Sequence, residues 1–278
     1  MIYSAPDVEV DRTMYVCPKC KGPLVAYRCS NCQITFPVME GIPCFLTEST
    51  GASALKLREI YDGIYGHHVN VWEDQGRSEP FLKYFCELAQ SSANDSVLEI
   101  GCGEGMLLAT LSGVAKFGID PSVEALLRAK RRSRADCAVA RAEALPFPPE
   151  CFDVVVAVAV MEHFEDADAA AAEIHRVLKP SGRYVALIQT DMSRLERLKV
   201  KVREYLVPRF RPLALLRWAG KKLRHRIVQP LRKSYTAETA RACLARHGLE
   251  VTQIVTRRTQ PNAPLAGDHV VILRSRKA

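Results

Sequence analysis

Four cysteines near the start of the chain form two pairs, Cys17-Pro18-Lys19-Cys20 and Cys29-Ser30-Asn31-Cys32, with eight residues between the pairs. A Cys-x-x-Cys pair turns into a knuckle that aims two thiolates at one point. Two knuckles close a tetrahedral four-thiolate site that suits Zn2+. The alternative is four unbound thiols. A site filled by four protein ligands leaves no open position, so its role is structural. The other six cysteines (Cys44, Cys86, Cys102, Cys137, Cys151, Cys243) are scattered, mostly in apolar surroundings. The N-terminal residues lack a basic start and an apolar run. A reduced, cytoplasmic setting therefore fits better than a disulfide framework.

The second chemical signal is Val97-Leu98-Glu99-Ile100-Gly101-Cys102-Gly103-Glu104-Gly105. An apolar strand runs into alternate glycines that open a helix. Glycines let the main chain touch a ligand, and a helix start offers free N–H groups to an anion. The spacing is G-x-G-x-G, not the G-x-G-x-x-G of a dinucleotide loop. Asp120 closes Gly118-Ile119-Asp120, nineteen residues after Gly101. A carboxylate at the end of that next strand can accept hydrogen bonds from both ribose hydroxyls. It could also simply cap the helix that Pro121-Ser122 begins.

These residues need a scaffold, and the pattern supplies one. Strands are expected at Val97–Ile100, Ala115–Ile119, Cys137–Ala140, Phe152–Ala159 and Arg183–Gln189. Helices are expected at Phe81–Gln90, Met106–Leu111, Val123–Arg132 and Asp166–Leu178, the last stopping before Pro180-Ser181-Gly182. A further helix is capped at Thr236 and runs to His247, and strands Glu250–Thr256 and Asp268–Arg274 form an antiparallel pair. The alternation predicts an α/β, doubly wound, Rossmann-like sheet of about seven strands, preceded by a small zinc ribbon. The expected domains are the ribbon at 1–47, a polar connector at 48–79 with Tyr61, Tyr65, His67, His68 and Trp72 along it, and the main domain at 80–278. Short strands are expected in the ribbon at Tyr15-Val16 and Leu24–Tyr27. A unit that small would draw much of its folding free energy from the metal.

Five segments in this order, Val97–Gly105, Gly118–Asp120, Ala142–Phe147, Phe152–Val155 and Arg176–Gly182, resemble class I S-adenosylmethionine-dependent methyltransferases of type 11. The likeness is nearest to the branch that holds the quinone-biosynthesis methyltransferases. It covers residues 80–190 strongly and 235–274 loosely. The resemblance implies that Gly101, Cys102, Gly103 and Gly105 line the methionine part of the cofactor, with Glu99 behind the loop. It implies that Asp120, with Pro121 beside it, holds the ribose, and that Ala142 and Glu143 lie near the adenine. Val160 and Met161 would flank the methionine or the methyl-transfer channel. The family often has Asp or Asn before the Ala-Glu pair, and Arg141 stands there instead. Some relatives hold a metal with two Glu and a His near here; Ala159 occupies the place of the first acid.

Methyl transfer from a sulfonium needs an aligned nucleophile and exclusion of water. It needs a base only where the acceptor must lose a proton, and His163 is the candidate for that. The competing role for His163 is a helix cap or a bond to a backbone carbonyl.

The chain has 39 Lys/Arg and 31 Asp/Glu, and residues 191–233 hold fourteen of the basic residues against three acids. The remainder is close to neutral. Leu195, Leu198, Val202 and Leu206 recur at helical spacing among the basic residues, so 191–233 reads as a basic helical insert. With its Trp218, the stretch 193–228 fits contact with an anionic membrane surface or grip on a phosphate-bearing acceptor; a solvated lid is the plainer reading. The longest apolar run, Val154–Met161, is too short to span a bilayer.

The expected function is S-adenosylmethionine-dependent methylation of a small or lipid-linked metabolite, at oxygen, in the cytoplasm or at the inner membrane surface. One alternative is an RNA methyltransferase that uses ribbon and insert to grip RNA. A second is a non-catalytic protein that binds a nucleoside and a partner.

Overall fold

The computed structural model describes residues 14–47, 52–67, 78–190, 233–256, 259–260, 262–263 and 270–277. Apart from Lys233, the basic insert lies outside the described residues, as do His68 and Trp72.

The ribbon carries two small antiparallel pairs, β1 (Arg28–Cys29) with β2 (Ile34–Thr35) and β3 (Val38–Met39) with β4 (Ile42–Pro43). The strands expected before the knuckles are single bridges, Val16 with Pro23 and Val25 with Arg28. Helix α1 (Ala52–His67) follows, in the stretch expected to be a connector, and then α2 (Glu79–Ala89). The alternation comes next: β5 (Ser96–Ile100), α3 (Met106–Thr110), β6 (Ala115–Asp120), α4 (Val123–Ser133), β7 (Asp136–Val139), β8 (Phe152–Val158), α5 (Ala167–Val177) and β9 (Leu178–Gln189). The order ends with α6 (Ala237–Arg246), β10 (Leu249–Val255) and β11 (Val270–Lys277).

The seven-stranded sheet has the order β10-β11-β9-β8-β5-β6-β7. Strands β7, β6, β5, β8 and β9 pair in parallel, and β11 lies antiparallel between β9 and β10. This is the expected Rossmann-like α/β architecture. Central parallel strands are covered on both faces and read as continuous apolar runs. In β8, Val154, Val156 and Val158 pack toward α2 and α3, and Val155 and Ala157 pack toward α5 and α6.

Local chemistry fixes the helix starts. Asp166 accepts the Asp168 and Ala169 amides at 3.0 Å to cap α5, and Thr236 and Thr239 form a capping box on α6. The Pro180-Ser181-Gly182 stop does not interrupt the sheet as expected. Leu178 pairs with Phe152 and Arg183 pairs with Val154, so the four residues between them bulge opposite Asp153. Lys179 Nζ donates to Asp153 Oδ2 at 2.7 Å and anchors the bulge.

The ribbon packs onto the sheet. Tyr15, Phe36 and Phe45 are buried in one cluster with Phe117, Phe147 and Phe152. Tyr15 lies 5.5 Å, centre to centre, from both Phe45 and Phe147. After β4 the chain runs beside β7, where Cys44 bridges Val139 in parallel and the Phe45 amide donates to the Val139 carbonyl at 2.8 Å. The edge of the sheet is thereby covered.

Candidate functional site

Order reverses between β5 and β8, because β6 leaves to one side and β8 arrives on the other. In open α/β sheets such a switch point makes a crevice at the carboxyl ends of the strands. Two positions beside it require glycine. Gly101 leaves β5 at φ +65°, and a Cβ there would collide with the Val160 side chain at the end of β8. Gly105 starts α3 at φ +73°, where a Cβ would stand 2.8 Å from the Cα of Ala129. Left-handed backbone and close packing thus coincide at both.

Asp120 ends β6 and is only 5% exposed. Its Oδ2 accepts the Gly103 amide at 2.9 Å and its Oδ1 accepts the Ser122 amide at 3.0 Å. Both carboxylate oxygens are thus engaged by backbone amides at the rim of the cavity. Ser122, not Asp120, caps α4, its Oγ accepting the Ala125 amide at 3.2 Å.

A cavity opens over these strand ends, with about 780 Å3 of space free of atoms, mouth included. Gly101, Asp120, Pro121, Ala142, Glu143, Val160 and His163 line it together. Glu99, Cys102, Gly103 and Gly105 are not among its lining residues. Glu99 is fully buried in β5, Cys102 is buried beside Gly118, and Gly103 and Gly105 shape the loop behind.

One wall comes from α1, through Leu57, Tyr61 and Tyr65. The connector reading missed this wall, although Leu57, Tyr61, Ile64 and Tyr65 recur at helical spacing and were a usable signal. Burial, with the negative charges of Asp120 and Glu162, pushes the Tyr61 hydroxyl far up, so it remains a protonated phenol. The helix is tied down at two points. Ser122 Oγ donates to Asp62 Oδ1 at 2.7 Å. Arg128 donates to the Tyr65 carbonyl at 2.6 Å and pairs with Glu104 of the glycine loop.

The opposite wall follows β7 and β8. Glu143 Oε1 accepts the Glu165 amide at 2.8 Å, so this acid braces the turn before α5 as well as facing the cavity. Arg141 pairs with Glu165 at 3.1 Å. Ala159 takes φ +55° directly after β8, an uncommon conformation for a residue with a side chain. The His163 amide donates to the Val160 carbonyl at 2.8 Å and closes a short helical turn that sets the imidazole on the cavity wall.

The four ribbon cysteines form a compact set whose sulfurs all lie within 4.8 Å of one another. Cys17 and Cys32 are 4.0 Å apart, and Cys20 and Cys29 are 3.5 Å apart. Sulfurs about 2.3 Å from a tetrahedral zinc would be about 3.8 Å apart, so the set fits that ion. Lys21 and Gln33, the residues after each pair, both take positive φ, which turns the chain back over each knuckle. The Gly22 amide and neighbouring thiols lower the Cys20 thiol to about 7. By contrast, burial pushes Cys86 up to about 11, and Cys137 and Cys151 up to about 12. Within the ribbon itself, burial raises the Cys17 thiol, and the neighbouring thiols, Cys20 first, push Cys32 up to about 12.

Residues 98–186 match the family described as a methyltransferase domain. YrhH of Bacillus subtilis, named as a methyltransferase, is 30% identical over 136 residues, covering 46% of this chain and 74% of that protein. The ubiquinone/menaquinone biosynthesis C-methyltransferase UbiE of Acidiphilium cryptum is 29% identical over 164 residues, 55% of this chain and 65% of its own length. The tRNA (carboxymethyluridine(34)-5-O)-methyltransferase alkbh8 of Xenopus tropicalis is 30% identical over 139 residues, 48% of this chain and 21% of its own length. The chain therefore spans less than two thirds of the length of these last two relatives. Among solved structures, a chain of the complex between the Haloferax volcanii Trm112 methyltransferase activator and its methyltransferase superposes with a TM-score of 0.58. The identity there is 16%, over 80% of this chain and 97% of that one, a likeness of fold. Glycine turn, acid-ended second strand and sheet order agree with these matches: the chain belongs to the class I S-adenosylmethionine-dependent methyltransferases, whose cofactor is S-adenosylmethionine.

Proposed function

We propose that this chain methylates a small or lipid-linked metabolite at oxygen, with S-adenosylmethionine held in the cavity at the ends of β5, β6 and β8. The observation that carries the reading is the meeting of Asp120, Gly101 and Val160 around one crevice walled by α1. When bound, the cofactor supplies a methyl group on a positively charged sulfur, which needs no covalent help from the protein. Asp120, at the end of β6 on the cavity wall, holds the ribose hydroxyls with its carboxylate. Gly101 lets the main chain approach the methionine part, and Ala142 and Glu143 bound the adenine side. Tyr61, Tyr65 and Leu57 exclude water from the reaction space, which keeps the acceptor close and oriented. His163 faces the same space and accepts the hydroxyl proton of an acceptor that must lose one. The four ribbon cysteines hold a structural zinc.

Two findings support the acceptor class. The lining is largely apolar with a few polar groups, as suits a small organic molecule. Relatives at similar identity are named for quinone substrates, including a ubiquinone biosynthesis O-methyltransferase of Rhodopseudomonas palustris. The basic segment adds affinity for an anionic acceptor or membrane surface. Among the described residues, no helix is long and apolar enough to cross a membrane. The similarity to a tRNA methyltransferase, together with that basic segment, favours RNA as the second reading.

The test is incubation of the chain with isotopically labelled S-adenosylmethionine and separate lipid, small-molecule and RNA fractions, read by mass spectrometry. Label on an oxygen of an organic-soluble product is expected. Label in RNA establishes the second reading, and bound cofactor without label transfer leaves a non-catalytic binding protein.

A further inference from the structure

The ribbon and the cavity share one short segment, residues 139–147. Its middle, Ala140 to Glu143, lines the cavity. Its ends are held by the ribbon. The Phe45 amide donates to the Val139 carbonyl at 2.8 Å, and the Val16 amide donates to the Pro146 carbonyl at 3.0 Å. Lys21 Nζ donates to the Leu145 carbonyl at 3.2 Å and to Glu173 Oε2 at 2.6 Å. That same Glu173 oxygen accepts the Leu145 amide at 2.8 Å. Lys21 and Glu173 therefore grip both polar groups of the Leu145 backbone, two residues from Glu143.

Lys21 owes its position to the first knuckle. It directly follows Cys20, its amide donates to the Cys17 carbonyl at 2.8 Å, and its φ is +59°. A metal that draws Cys17 and Cys20 together fixes this turn. The turn carries Lys21, whose ammonium group bonds the Leu145 carbonyl and Glu173 beside the cavity wall. Charge-assisted hydrogen bonds at well under full exposure are strong enough to carry such a constraint.

We propose that metal binding at Cys17, Cys20, Cys29 and Cys32 and cofactor binding in the cavity are coupled, with the Lys21–Glu173 pair as the link. The coupling rests on the reading of the cavity as the S-adenosylmethionine site. Because binding linkage is reciprocal, the cofactor must tighten the metal by the factor by which the metal tightens the cofactor.

The experiment uses the full zinc-loaded chain and S-adenosylhomocysteine as the probe. Zinc transfer to a coloured chelator is followed with and without saturating probe, and probe affinity is measured by calorimetry. In the wild type, saturating probe is expected to tighten zinc about fivefold or more, within the usual range of coupling between sites. Lys21→Met is expected to keep one zinc per chain, to weaken the probe by a similar factor and to make zinc transfer indifferent to the probe. Zinc transfer from the wild type that ignores bound probe overturns the proposal, and this arm needs no variant to fold. Lys21→Met with zinc and wild-type probe affinity also overturns it. A wild-type chain that holds zinc but binds no probe instead overturns the cavity reading on which the coupling rests.

Discussion

Asp120 Oδ2 accepts the amide hydrogen of Gly103 at 2.9 Å, so the acid that ends β6 and the glycine loop that leaves β5 move as one piece. The other oxygen takes the Ser122 amide at 3.0 Å. The residue proposed to hold the ribose is thus also a brace of the fold itself. Asp120→Ala is expected to lower stability by about 1–3 kcal/mol for each N–H group left buried and unpaired. Asp120→Asn keeps one acceptor oxygen and should lose less. Urea denaturation of the two variants checks this, and equal stability of Asp120→Ala and wild type would contradict it.

Gly101 and Val160 meet across the β5–β8 seam, where a Cβ on the glycine would strike the valine. Gly101→Ala is expected to cost about 1–3 kcal/mol through overpacking, with positive-φ strain added. Placed in a Val160→Ala background, the same change should cost less by at least about 0.5 kcal/mol, since the two side chains are in contact. A double-mutant cycle by chemical denaturation measures the difference, and strict additivity would show that the clash is relieved some other way.

The burial of Phe45 against Tyr15 and Phe36, in one cluster with Phe147, joins ribbon and sheet in one hydrophobic core. Phe45→Ala is expected to destabilise the whole chain by about 3–5 kcal/mol in one transition. Separate melting of ribbon and sheet, seen by two spectroscopic probes, would contradict the shared core.

Much of this architecture was legible because each signal was local. The run Phe152–Val158 announced a strand buried on both faces, and Asp166 and Thr236 announced helix starts that the hydrogen bonds reproduce. Helix α1 carried one usable signal, the spacing of Leu57, Tyr61, Ile64 and Tyr65, against several weak ones. Gly63 and Gly66 lower its helical propensity, its first turn carries no acidic residue, and it is stabilised by Tyr61 and Tyr65 packing on Ala125 of α4, a contact distant in sequence. The bulge at Lys179–Gly182 was hidden, since Pro-Ser-Gly is a turn signature and the Lys179–Asp153 pair that keeps it in the sheet is remote. At the site, spacing pointed to Gly101 and Asp120, the resemblance to Val160 and the strand end to His163, and all four line one cavity. Spacing said nothing of Glu143 bracing the Glu165 amide, because that bond depends on how β7 and β8 end.

Glu173 offers a pH prediction. Burial alone would raise its carboxyl, but hydrogen bonds and charge from Arg176 and Lys21 outweigh that and hold it below the ordinary glutamate value. A depressed folded pKa contributes stability that is present above the unfolded value, about 4.3, and lost as pH falls through the folded one. Glu173→Gln is therefore expected to lower stability at neutral pH by roughly 1.5–3 kcal/mol and to flatten its fall below about pH 4.3. Denaturant midpoints from pH 7 down to 3 test it. An unchanged acid slope would remove Glu173 from the account.

The most direct test of the central claim is a calorimetric titration of the zinc-loaded chain with S-adenosylhomocysteine, run beside Gly101→Val, whose side chain would occupy the seam next to Val160. The account predicts saturable one-to-one binding to the wild type and its loss in a folded Gly101→Val. Binding that survives unchanged in that variant, or a wild-type chain that takes up none, would contradict the assignment of the cavity.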